Sequence, residues 1–214
     1  LFDLKSIRKK TNEFNALLII DGSQSVGALP FSIKEINPDA LICAGYKWLF
    51  GPYGCGYAYF GAYFDNGNPL EENWSNRLNS EDFGSLTSYK KNHKPLANRY
   101  SAGEHGSFIY IKMQIEALKQ VIEWNPEAIQ EYCKEITVDA VIKLKEIGCF
   151  IEDDDFRTHH LFGVELPKEL DIKKLKSTKL KKEAIAEFLI SEQPKFIKII
   201  EFVYKRNENT TDIM

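Results

Sequence analysis

Three features of this 214-residue chain predict an α/β fold. Two short apolar runs, 16–20 and 40–43, lead to Asp21 and Lys47. Open α/β sheets place ligand-binding groups at such strand ends. A Gly/Pro-rich turn, Gly51-Pro52-Tyr53-Gly54, closes the second run. Beyond residue 107 the apolar spacing becomes helical. Together these give a mostly parallel sheet with helices, residues 1–125, followed by a smaller α+β part, residues 126–214.

The elements follow in order. Residues 4–14 are polar and charged and read as the end of a helix. Strands are predicted at 16–21 and 40–43, separated by a stretch containing Gly27 and Pro30. Residues 54–60 (GCGYAYF) form a third strand whose small residues permit close backbone approach. Residues 61–104 are polar and turn-rich. That is longer than an ordinary loop, so the segment is functional or holds short elements of its own. A helix over 107–123 rests on Ile109, Met113, Leu118 and Ile122. Asn125-Pro126 interrupts it, since proline suits the first turn of a new helix. That helix runs to about Ile147, and Gly148 stops it. Residues 161–166 (LFGVEL) read as a strand, and a lysine-rich helix starts near 169.

Composition narrows the function. Hydrophobic residues make up 43% of the chain, enough for a packed core. A net charge of −3 argues against a nucleic-acid partner. No apolar run approaches the roughly 20 residues of a membrane helix. The four cysteines, Cys43, Cys55, Cys133 and Cys149, lie far apart. They suit reduced thiols in a cytoplasmic protein. The four histidines show no metal-ligand spacing, so no metal is expected. The chain begins at Leu1 rather than methionine, which leaves a targeting segment open.

Lys47 carries the chemistry. It lies within DALICAGYKWLFGPYGCG, residues 39–56, between a buried-strand pattern and a tight turn. A solvated charge is out of place there. An amine held in a cleft to attack a carbonyl is not, because desolvation favours the neutral nucleophile. Asp21 offers a carboxylate at the end of the neighbouring strand. A lysine for the aldehyde and an acid for the ring nitrogen are the two groups that pyridoxal 5′-phosphate (PLP) requires.

With those residues in view, the chain resembles the class V aminotransferase family, PLP enzymes of the aspartate aminotransferase fold type. Three stretches carry the resemblance. They are IIDGSQSVGALPFSIKEINPDALICAGYKWLFGPYGCGYAYF (19–60), ANRYSAGEHGSFIYIKMQIEALKQVIEW (97–124) and, more weakly, RTHHLFGVELP (157–167). The resemblance implies a role for each matching residue. Lys47 is similar to the lysine that forms the internal aldimine. Asp21 resembles the acid that pairs with the pyridinium nitrogen. Gln24 resembles the side chain that hydrogen-bonds the phenolic oxygen. Tyr46 stands where many members have histidine, and as in kynureninases its hydroxyl would reach the phosphate. Residues 103–108 (GEHGSF) resemble a loop that reaches across a homodimer to the neighbour's phosphate, although helix capping explains them equally well. The implied substrate is an amino acid.

The sequence also departs from the family pattern. Ala44 stands where many members carry a phosphate-binding serine. No N-terminal phosphate turn or ring-stacking residue can be assigned. After about Thr178 the expected substrate-binding arginine run is missing, and Arg206 lacks its neighbours. An incomplete chain accounts for both ends. No cysteine follows Cys149, which argues against a desulfurase reaction here. Arg157, His159 and His160 suit a structural role at the start of a strand. The seven lysines within 168–182 suit a solvated helix face. Two readings of function remain apart from a nucleotide-binding one, which lacks its glycine motifs. One is a PLP enzyme. The other is a non-catalytic interaction or regulatory module that keeps the fold without the chemistry.

Overall fold

In the computed structural model, residues 1–167 apart from Tyr89 and Glu104 are described. The predicted lysine-rich helix and the divergent C-terminal stretch lie outside the described residues. The chain separates into two compact units, Leu1–Ile129 and Gln130–Met214.

The first unit opens with helix α1, Leu4–Glu13. Asp3 caps it by accepting from the Ser6 N–H at 3.0 Å. Strand β1, Ile19–Asp21, pairs in parallel with β2, Ala40–Ala44, placing Asp21 opposite Ile42. Strand β3, Gly56–Phe60, pairs antiparallel with β2, so the sheet order is β1-β2-β3. Strand β1 is shorter than the predicted 16–21. The preceding residue, Leu18, is still tied to β2's start, because its carbonyl accepts from the Asp39 N–H at 2.9 Å. Leu18, Ala40, Leu41 and Cys43 are buried.

A side-chain clamp fixes the start of both strands. The Asp39 carboxylate accepts from the Leu18 N–H at 2.7 Å and from the Arg8 guanidinium of α1 at 2.5 Å. Burial pushes the Asp39 carboxyl up, but those two donors outweigh it and hold the group below its ordinary value.

A short helix not anticipated from sequence, α2, spans Ile33–Ile36 between β1 and β2. Its signal was present as Ser32-Ile33-Lys34-Glu35. The Ser32 hydroxyl accepts from the Glu35 N–H at 3.3 Å, as in the first half of a capping box. Asn37 ends the helix in the left-handed region at φ 49°.

The long stretch after β3 holds short elements, as its length predicts. Short 3₁₀ segments occupy Ala62–Phe64, Trp74–Asn76, Phe83–Ser88 and Leu96–Tyr100. Tyr100 stacks on Phe60 with ring centroids 4.4 Å apart, packing the last turn on β3. Helix α3, Phe108–Trp124, and helix α4, Pro126–Glu146, match the predicted periodicity.

In the second unit, Gln130 of α4 organises the chain that follows. Its Oε1 accepts from the His159 N–H at 2.9 Å, and its Nε2 lies 2.8 Å from His160 Nδ1. Arg157 is buried, paired with Asp154 at 2.5 Å, and its guanidinium lies 4.7 Å from the Phe162 ring centre. Lys134 of α4 approaches the same Asp154 at 3.0 Å. Arg157, His159 and His160 thus take part in packing, but not at the start of a strand as expected. The strand predicted over 161–166 does not form. Only Phe150 and Glu165 pair, exchanging backbone bonds of 2.8 and 2.9 Å. The Thr158 hydroxyl donates to the Leu161 carbonyl at 2.5 Å, closing a turn just before the stretch.

Candidate active site

Asp21 ends β1, and its backbone direction is set by the parallel pairing with β2. The next residues turn sharply. Gly22 N–H donates to the Ile42 carbonyl at 2.7 Å, and the Ser23 N–H donates to Asp21 Oδ1 at 2.9 Å. The Ser23 hydroxyl accepts from the Ala44 N–H at 3.2 Å. One serine therefore fixes the carboxylate and ties the turn to the end of the neighbouring strand. It was not singled out in the sequence, although an Asp-x-Ser triplet after a strand is an Asx-turn signal. Donation from Ser23, backbone first and side chain second, holds the Asp21 carboxyl below its ordinary value, and the nearby Lys47 charge adds to this. Asp21 and Lys47 are thus within electrostatic reach of one another.

Lys47 sits in a closed loop after β2. The Gly45 N–H donates to the Cys55 carbonyl and the Gly51 N–H to the Gly45 carbonyl, each at 2.8 Å. The Phe50 N–H reaches the Lys47 carbonyl at 3.0 Å. Phe50 adopts φ 53°, and its ring meets Trp124 of α3 edge-on at 5.7 Å. From the other side Gly27 packs on the loop. A Cβ there would come within 2.7 Å of the Trp48 carbonyl oxygen, and φ is 94°, so only glycine fits. Lys47 is half-buried by this arrangement, while Asp21 is exposed.

The remaining predicted residues are placed as follows. Gln24 is exposed on the turn after β1. Tyr46 is 41% exposed and stacks on Tyr53, with ring centroids 4.5 Å apart. Within residues 103–108, Ser107 caps α3 by accepting from the Tyr110 N–H at 3.4 Å, and His105 Nδ1 lies 2.7 Å from the Ala102 carbonyl oxygen. Arg99 donates to the Gly67 carbonyl at 2.9 Å and holds the long loop. Among the described residues no group of three or more His, Cys, Asp or Glu could hold a metal ion, and no helix is long and apolar enough to cross a membrane.

Comparison with known proteins places this parallel strand pair and its flanking helices in a family. The model of the Aminotransferase class-V family matches residues 1–186, and the chain belongs to that family. It is 27% identical over 158 residues to the hercynylcysteine sulfoxide lyase of Schizosaccharomyces pombe, covering 69% of this chain and 37% of that protein. The aminotransferase YcbU of Bacillus subtilis is 26% identical, covering 68% of this chain and 37% of the relative. The chain therefore spans well under half the length of these relatives. Among solved structures, the cysteine desulfurase CsdA of Escherichia coli superposes with a TM-score of 0.62 at 14% identity, over 81% of this chain and 42% of its own. A ureidoglycine–glyoxylate aminotransferase of Bacillus subtilis gives 0.53 at 18%, over 90% of this chain and 46% of its own. The fold is that of PLP-dependent aminotransferases and cysteine desulfurases, and the chain is aminotransferase-like.

Proposed function

We propose that this chain contributes the lysine-bearing part of a PLP-dependent active site that acts on an amino acid. The observation that carries the reading is the placement of the Asp21 carboxylate near Lys47. A carboxylate kept ionised at the end of β1 lies within electrostatic reach of a half-buried amine on the loop after β2. This donor set fits PLP, which presents a basic ring nitrogen and an aldehyde on one flat molecule.

Each residue then has a task. Asp21 would keep the proton on the ring nitrogen through charge pairing. Lys47 would hold the cofactor's aldehyde and would take up the proton from the substrate's α carbon. Gln24 would donate to the phenolic oxygen. The Tyr46 hydroxyl, its ring stacked on Tyr53, would hold the phosphate. Bound PLP supplies the electron sink that stabilises a carbanion at the α carbon. The same first step serves transamination and elimination alike.

The full-length protein is proposed to work as a homodimer. All four cysteines are free thiols, which fits a reducing, cytoplasmic setting. The described residues alone give a site open to solvent, with Asp21, Gln24 and Tyr46 all exposed. That openness favours weak cofactor binding by this chain alone, because a cofactor's charge is compensated well only in a preorganised, largely enclosed site. It also keeps in play the second reading, a module with the fold but without the turnover.

Incubation with PLP, borohydride reduction and peptide mapping tests the assignment. A pyridoxyl group on Lys47 is the expected result. A label concentrated on another lysine, with the Lys47→Ala protein still forming the reducible visible band, would overturn it.

A further inference from the structure

We infer that Gln114 of α3 is a positioning residue that fixes the backbone of the Lys47 loop and so sets where the lysine amine lies. The inference rests on the reading of Lys47 above.

Gln114 is a polar side chain buried to 3% exposure on a helix whose neighbouring positions are mostly apolar. Its Nε2 donates to the Leu49 carbonyl at 3.2 Å, two residues beyond Lys47. Leu49 is itself buried, so that carbonyl has little access to water, and an unpaired buried carbonyl is costly. The rest of the carboxamide lies close to the loop's glycines. A Cβ built on Gly51 would collide with Oε1, and one on Gly45 would come within 2.8 Å of it. Gly51 does not need glycine for its backbone angles. Its small size matters because the carboxamide occupies the space a methyl group would take. The Oε1 atom has no hydrogen-bond partner, an expense that an apolar side chain of the same shape would avoid. A glutamine here is explained by what its N–H group holds.

The two residues at the loop's closure, Gly45 and Gly51, are thus pressed from α3, while Gly27 presses Trp48 from the β1 side. Lys47 lies between these contacts. With the loop clamped at both flanks, the lysine stem starts from one fixed direction. Removing the α3 side frees the segment to rotate about its remaining turn bonds.

The test separates this clamp from the cofactor reading. Amide hydrogen exchange at Phe50 and Gly51, whose N–H groups close the loop, reports on the clamp without any cofactor. In Gln114→Met, a near-isosteric change, these two amides should exchange about fivefold faster or more, with α3 and β2 amides unaffected. Borohydride trapping with PLP should at the same time spread label from Lys47 to other lysines. Unchanged exchange at Phe50 and Gly51 would overturn the clamp. Faster exchange with undiminished selectivity for Lys47 would overturn its role in positioning the amine. If the parent chain shows no label on Lys47, the cofactor reading falls, and exchange still decides the clamp. Should Gln114→Met fail to fold, Gly51→Ala supplies the second arm. Its methyl would displace the carboxamide, so Gly51→Ala alone should loosen the loop, and adding Gln114→Ala should relieve part of that effect. Strict additivity of the two changes would show that the side chains do not meet.

Discussion

Ser23 links two parts of the site that no sequence motif names together. Its N–H holds the Asp21 carboxylate, and its hydroxyl receives the Ala44 N–H from the end of β2. Ser23→Ala should therefore act twice. The Asp21 carboxyl should titrate closer to its ordinary value, readable by carbon-detected NMR, because one of the two Ser23 donors that depress it is gone. The Ala44 N–H loses its partner, which should lower stability by about 1 kcal/mol in chemical denaturation. The sign of the pH effect follows from the direction of the Asp21 shift. A depressed carboxyl stays charged down through its ordinary range and loses its charge only as pH falls through the lowered folded value. Cofactor affinity that depends on Asp21 should accordingly be flat above about pH 4, falling only in more acid solution. An affinity that drops between pH 7 and pH 5 would point to a different group. Asp21→Asn should weaken PLP binding at neutral pH without the structural loss expected of Ser23→Ala.

At the scale of elements, the Arg8–Asp39–Leu18 clamp decides how α1 meets the sheet. Asp39 accepts a backbone donor and a guanidinium with much of its side chain covered. Asp39→Ala leaves the Leu18 N–H and Arg8 without that acceptor, and a cost of about 1–3 kcal/mol is expected in denaturant titration. The folded Asp39 carboxyl lies below its ordinary value, so its contribution is complete above about pH 4 and disappears as pH falls through the lowered value. The wild-type chain should lose stability over that acid range, and the Asp39→Ala chain should lose less. Helices α3 and α4 were legible because their apolar spacing and their stops are local. Pro126 starts α4, and Gly148 at φ 87° follows its end. Helix α2 is four residues long, too short for periodicity to show, and only its capping serine marks it. The strand expected over 161–166 fails for the opposite reason. A strand exists only where a partner ladder forms, and only Phe150 and Glu165 pair there.

At the scale of the molecule, the sheet ends at β1, with no strand beyond it among the described residues. Ile19 of β1 is 57% exposed and Ile42 of β2 is 43% exposed. An unpaired strand edge beside exposed apolar residues invites association between copies. The isolated chain should sediment as a concentration-dependent mixture, and Ile19→Lys should shift it toward monomer. A single monomeric species at all concentrations would show that the edge is protected in some other way. The same openness leads to weak PLP binding by this chain alone. Tight stoichiometric binding with an amino-acid-dependent spectral change would show that the chain is self-sufficient.

The sequence alone determined the α/β class, the two strands that end near Asp21 and Lys47, and the helices on either side of Asn125. These depend on local spacing, which a linear chain displays directly. It also singled out Asp21 and Lys47, because a charge at the end of an apolar run is out of place unless it has a task. The tertiary structure decided what holds those two residues. Ser23 reaches Ala44 across 21 positions, and Gln114 reaches Leu49 across 65. Such contacts leave no periodic trace. A buried glutamine in a helix looks in sequence like any surface glutamine, and only the fold brings it against the glycines of the lysine loop.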